Sequence, residues 1–137
     1  MPASTTPIFS RRGDIQWATT VTAVNAAMDG TGTVVTAFTA DATEGSYVTA
    51  LRLKAAGTNV ATVARIFLNN GATNATAANN ALYDEITLAA TTASAVAAVT
   101  AYTLPLGFAL PAGYRINVTL GTAVAAGWIP SVIGGDY

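Results

Sequence analysis

From Asp14 onward, short runs of alternating apolar and polar residues recur between glycine, asparagine, aspartate and proline punctuation, and this pattern limits the chain to a β fold. Successive side chains of a strand point to opposite faces, so a period of two marks a strand with one buried face. The clearest case is Tyr47 to Ala55, with Tyr47, Leu51 and Leu53 on one face and Arg52 and Lys54 on the other. Tyr114 to Leu120 sets Tyr114, Ile116, Val118 and Leu120 toward a core and Arg115, Asn117 and Thr119 toward a wetter side. Leu82 to Leu88 sends Leu82, Ile86 and Leu88 inward and Tyr83, Glu85 and Thr87 outward, which leaves Asp84 awkwardly on the inner side. Val60 to Leu68 is apolar on both faces, Ala64, Ile66 and Leu68 opposing Val63 and Phe67, as in a central strand or one covered by a partner.

Four weaker segments, Ile15 to Thr19, Thr33 to Thr39, Ala101 to Phe108 and Ala123 to Ile129, bring the expected total to about eight strands. Eight short antiparallel strands suit an all-β, jelly-roll-like sandwich. Residues 14–137 are expected to form this single domain, behind an extended N-terminal arm at residues 1–13. The end, Gly134-Gly135-Asp136-Tyr137, is expected to be a short flexible hook. Turns fall at Asp29-Gly30, Ala56-Gly57-Thr58-Asn59, Pro111-Ala112-Gly113 and Gly121-Thr122. Asn69 to Asn80 reads as a long polar loop. Ala89 to Ala98 reads as an extended connection, because Thr91, Thr92 and Val96 dilute the helix propensity of its alanines.

The chemical inventory is thin. Six basic and seven acidic side chains make 9% of the residues, against about 25% in ordinary soluble domains. Histidine and cysteine are absent, and Ile86 to Gly135 holds one charge, Arg115. A cysteine nucleophile, a disulfide frame and a thiolate metal site are therefore excluded. Acid–base catalysis needs two groups converging on one substrate, yet the neighbours Asp84 and Glu85 point to opposite faces of a strand. Asp41 and Glu44 share a loop with Thr43 but lack the dense oxygen set of a calcium site. The expectation is a protein without catalytic residues, metal or cofactor, and not an enzyme.

A net charge of −1 supplies no field for nucleic acid. The uncharged stretch from Ile86 to Tyr114 contains threonines, Pro105 and Gly107, and suits a folded β region better than a membrane span. No secretory signal is expected, since no apolar run follows the first residues or the Arg11-Arg12 pair. Arg12-Gly13-Asp14 and the two Asn-x-Thr triplets, at Asn74 and Asn117, are the short matches that chance composition supplies.

Charges this sparse leave surface that other chains are expected to cover. The candidate contact residues are Phe9, Arg11 and Arg12 at the arm, Trp17, Trp128 and Tyr137. Both tryptophans could serve as sugar-stacking platforms, although Trp128, set among small residues in Ala123 to Ile129, suits a core or subunit contact better. A carbohydrate- or receptor-binding β-sandwich module is accordingly the alternative to a structural role.

Several stretches carry a likeness: the arm, Asp29-Gly30-Thr31-Gly32-Thr33, Leu51-Arg52-Leu53-Lys54-Ala55-Ala56-Gly57-Thr58, Arg65-Ile66-Phe67-Leu68-Asn69-Asn70-Gly71, Leu110-Pro111-Ala112-Gly113-Tyr114 and the Gly134 to Tyr137 end. Together they resemble small virion proteins of tailed bacteriophages, some of which act as capsid decoration or cement proteins. The resemblance implies a jelly-roll-like fold on the capsid exterior, with the major capsid protein and further copies of itself, as dimer or trimer, for partners. It implies synthesis in the bacterial cytoplasm and carries over no catalytic or ligand residue.

Overall fold

Strands pair from the ends of the chain inward: β1 with β8, β2 with β7, β3 with β6 and β4 with β5, all antiparallel. The computed structural model describes residues 10–137. Its strands are β1 (Arg12–Trp17), β2 (Val35–Thr39), β3 (Ser46–Ala55), β4 (Thr62–Asn69), β5 (Asn80–Leu88), β6 (Ala101–Leu110), β7 (Arg115–Leu120) and β8 (Trp128–Asp136), with one 3-10 turn at Ala77–Asn79. Pairing of β8 with β3 and of β7 with β4 joins them into a front sheet, β1-β8-β3-β6, and a back sheet, β2-β7-β4-β5. The protein is an all-β sandwich, as the alternation predicts. No helix among the described residues is long and apolar enough to cross a membrane.

Because early strands lie beside late ones, both halves of the chain fill the core. Phe38, Val48, Leu51, Leu53 and Ile66 meet Leu88, Ile116, Val118, Leu120, Trp128 and Val132. Trp128 is completely buried and its ring lies 5.7 Å from that of Tyr102. This removes Trp128 from the candidate partner contacts: the small residues around it make room for the ring inside the sandwich. Gly127 makes that approach possible, with φ +89° and a Cβ position only 2.7 Å from Thr22 Cγ2.

Single inserted residues reverse the phase that simple alternation predicts. Val48 pairs with Gly134 and Ala50 with Ile133, so Thr49 is extra, Val48 turns inward and Tyr47 turns out. In β5 the extra residue is Tyr83, since Ile66 pairs with Asp84 but Phe67 with Leu82. Leu82 therefore turns to the outer face beside Phe67 and is exposed, whereas Asp84 keeps the inner-side phase of its partner Ile66, as the alternation predicts, and is exposed because β5 is an outermost strand. The Tyr83 ring meets Phe108 edge-on at 5.3 Å, bridging the outermost strands of the two sheets. At the opposite edge, Gln16 donates to the Thr39 carbonyl at 2.9 Å and accepts from Thr39 N at 3.0 Å, so its amide joins β1 to β2.

The chain between β1 and β2 covers the outer side of the back sheet. β4 is central there, and Phe67 is fully buried yet outside the core cluster. Arg65 and Asn69 flank Phe67 on the same face. Arg65 Nη1 donates to Asn25 O at 3.4 Å, and Asn80, paired with Asn69, donates to Asp29 O at 3.1 Å. The segment from Asn25 to Asp29 thus passes over Phe67. The same cover buries Asn117 and Thr119, so the supposedly wetter side of β7 is dry. Asn117, bonded to Thr36 Oγ1 at 2.8 Å, is closed to glycosylation.

Residues 1–9 of the expected arm lie outside the described residues, while the arm's last residues and the expected hook are strand. Arg12 and Gly13 belong to β1, and Arg11 N already bonds Asp136 O at 2.8 Å. Phe9 lies outside the described residues. The expected hook is the end of β8, an interior strand of the front sheet, and Tyr137 N reaches Gly45 O at 3.3 Å. Pro130 fits this strand because its carbonyl, and with it the missing N–H, faces Ala18, where β1 has stopped. The Ala123 to Ile129 candidate shrinks to its last two residues, since β8 begins at Trp128. Ala89 to Ala98 is a connection without helix or strand, tied by one bridge between Thr91 and Asn59, and it bends at Ala95 to Ala97, where Val96 N and Ala97 N donate to Ser94 Oγ at 3.1 and 3.2 Å.

Candidate interaction surface

The outer face of the front sheet carries residues that a folded domain usually hides. In β1 the inward positions hold Asp14 and Gln16, while Ile15 and Trp17 point out, 60% and 71% exposed. Register continues this arrangement across the sheet. Ile15 stands beside Ile133, Ile133 beside Ala50, and Ala50 beside Pro105, an apolar row spanning four strands. The row on one side reads Trp17, Ser131, Arg52, Thr103; the row on the other reads Gly13, Gly135, Tyr47, Ala109. Ser10 sits on this face too, since a Cβ at Gly135 would lie 2.5 Å from its side chain.

Arg52 is exposed and Lys54 is half-buried, with its ammonium donating to the Val99 carbonyl. No aspartate or glutamate among the described residues falls on this face. It is therefore apolar along one edge and through its middle row, with two cations on β3. Contiguous apolar surface of this kind is the usual mark of a contact with another macromolecule.

Three of the expected contact residues meet at one corner. Arg11 Nη2 donates to Tyr137 O at 3.3 Å, and Arg12 Nη2 reaches Asp136 Oδ2 at 2.9 Å and Asp41 Oδ1 at 3.3 Å. Arg12 is thus committed to its own fold, whereas the Arg11 side chain stays exposed. Ser46 Oγ donates to Asp136 Oδ1 at 2.6 Å. Burial opposes the Asp136 charge, but the bonds from Ser46 and Arg12 outweigh it and hold the carboxyl below its usual range. Asp41 is held down by the backbone N–H groups of Glu44 and Thr43. Asp14 moves the other way: desolvation raises it, against a hydrogen bond from Gln16.

Asp41 therefore caps its own turn, and no group of three or more acidic side chains that could hold a metal forms among the described residues. A shallow groove of about 270 Å³ is lined by Leu68, Asn69, Asn79, Asn80 and Tyr114 among others. Its amides are spent on each other and on loop carbonyls: Asn69 on Asn80, Asn79 on Thr73, and Asn80 on Asp29 and Asn74. They brace the Asn69 to Asn80 loop rather than wait for a ligand.

Of the six expected contact residues, the structure exposes Trp17, Arg11 and Arg12, half-buries Tyr137 and buries Trp128. Sequence reasoning missed Ile15, Ile133 and Tyr47. Ile15 shares its alternation with Trp17, so that signal was present; Ile133 lay in a stretch not recognised as strand, and Tyr47 was turned by the bulge. No family model, curated protein or solved structure matches this chain.

Proposed function

We propose that this chain is a structural virion protein, a capsid decoration or cement protein that binds the outside of a phage head and braces neighbouring major capsid protein subunits. The observation that carries it is the outward apolar row Ile15–Ile133–Ala50–Pro105, exposed but for half-buried Ala50, beside exposed Trp17, in a protein so poor in charge. A face of this kind gains free energy by being covered, at about 25 cal/mol per Å² of apolar area, and needs no catalytic group to do so. The strand order further supports a jelly-roll architecture, because pairing the ends of the chain inward and folding the result into two sheets is how such sandwiches are wound. The sheet face serves contacts between copies. The corner of Arg11 and Tyr137 serves the capsid.

Co-sedimentation tests this function. The protein should pellet with expanded capsids and raise their resistance to heat, and deletion of residues 1–11 should abolish binding while leaving the sandwich folded. Failure of the intact chain to bind expanded capsids overturns the proposal. The exposed Trp17 ring favours a second function, a carbohydrate platform. In that case Trp17→Ala abolishes sugar affinity, whereas capsid attachment survives it.

A further inference from the structure

We propose that copies of this chain associate head to tail, the outer face of the front sheet in one copy receiving the β5 edge of the next. The inference rests on the self-association in the proposed function and names its two surfaces. The receiving face carries Ile15, Trp17, Tyr47 and Ile133 as exposed apolar side chains, with Arg52 and Lys54 as its only charges among the described residues. The β5 strand has the complementary character. From Ala81 to Glu85 every residue is exposed, Leu82 and Tyr83 supply apolar area, and Asp84 and Glu85 supply negative charge. Arg65 partly neutralises Glu85 at 3.0 Å, but among the described residues the only hydrogen bond to the Asp84 carboxylate comes from the neighbouring Glu85 N–H, at 2.7 Å. β5 is also an outermost strand, with one side of its backbone unpaired.

Charge decides between the two ways a single surface can pair. A symmetric contact of front face against front face would bring Arg52 and Lys54 of both copies onto one desolvated surface that offers no carboxylate among the described residues. Setting β5 on that face instead places Asp84 opposite Arg52, and Leu82 and Tyr83 over the apolar row. Since the two patches differ, the contact propagates from copy to copy and closes as a ring or continues as an open chain.

Sedimentation velocity on the full chain at concentrations up to ~100 μM tests this directly, with far-UV circular dichroism as the check on folding. Arg52→Glu and Asp84→Arg should each weaken association at least ~10-fold, and the double variant should recover most of the loss, because the pair is then restored with its signs exchanged. Asp84→Arg, on an exposed strand, keeps the test open should Arg52→Glu fail to fold. Association indifferent to Asp84→Arg overturns the proposal, as does strengthening by Arg52→Glu alone, the signature of a symmetric contact. A chain that stays monomeric throughout also overturns it, while capsid binding, read by co-sedimentation, stands or falls separately.

Discussion

Ile15 and Ile133 stand directly opposite each other across β1 and β8, on the side of the sheet that faces away from the core. A directly opposed apolar pair is the unit that normally stabilises the buried face of a sheet. Here the inward positions of β1 are Asp14 and Gln16, so the first strand contributes no buried apolar side chain. Ile15→Asp should therefore cost only about 1 kcal/mol of chemical-denaturation free energy, the loss of one exposed cross-strand pair rather than of a core side chain. The same variant should remove the associated species in sedimentation.

The two tryptophans should separate cleanly. Trp128 is fully buried against Tyr102, and Trp128→Ala should cost about 3–5 kcal/mol in urea unfolding. Trp17→Ala should cost less than about 0.5 kcal/mol in the same measurement, because its ring is largely exposed.

Asn59 is the polar bolt between two loops. Its Oδ1 accepts from Gly127 N at 2.7 Å and Ala126 N at 3.0 Å, and its Nδ2 donates to Gly127 O at 3.1 Å. Asn59→Ala strands those backbone groups away from water and should lower stability by about 2–3 kcal/mol, read from the urea midpoint with an unchanged slope.

Acid should loosen the end where β1 meets β8. Asp136 ionises more readily folded than unfolded, so its contribution is complete above the ordinary carboxylate range, near pH 4. That contribution is lost as pH falls through the lower folded value. Asp14 has the opposite sense: its raised folded value favours the protonated form, a benefit present at low pH and lost as pH rises through that value. Asp136→Asn should therefore lower the melting temperature at pH 7 and flatten its decline below pH 4, while Asp14→Asn should raise it at pH 7. Thermal melts between pH 2 and 7 check both.

The alternation identified the fold class because β7 runs without interruption, and Ile116, Val118 and Leu120 all face the core as their spacing implies. It misplaced Tyr47 and Leu82 because one inserted residue, Thr49 or Tyr83, inverts everything on one side of it, and neither residue type announces a bulge. The strand at the chain's end stayed hidden behind Pro130, Gly134 and Gly135, which are poor strand formers in isolation. Gly134 is there because Tyr47 O lies where a Cβ would project, a requirement set by a strand distant in sequence. The interaction surface was only half legible for the same reason. Trp17 alternates with Ile15 in plain view, but the row through Ile133, Ala50 and Pro105 exists only once register joins four distant segments.

The most direct test of a covered front sheet is hydroxyl-radical footprinting of Trp17 in the dilute free chain and in the assembled particle. Its oxidation should fall at least ~10-fold on assembly, with Ile133 protected alongside it. Trp17 oxidised as fast in the particle as in the free chain would contradict the account.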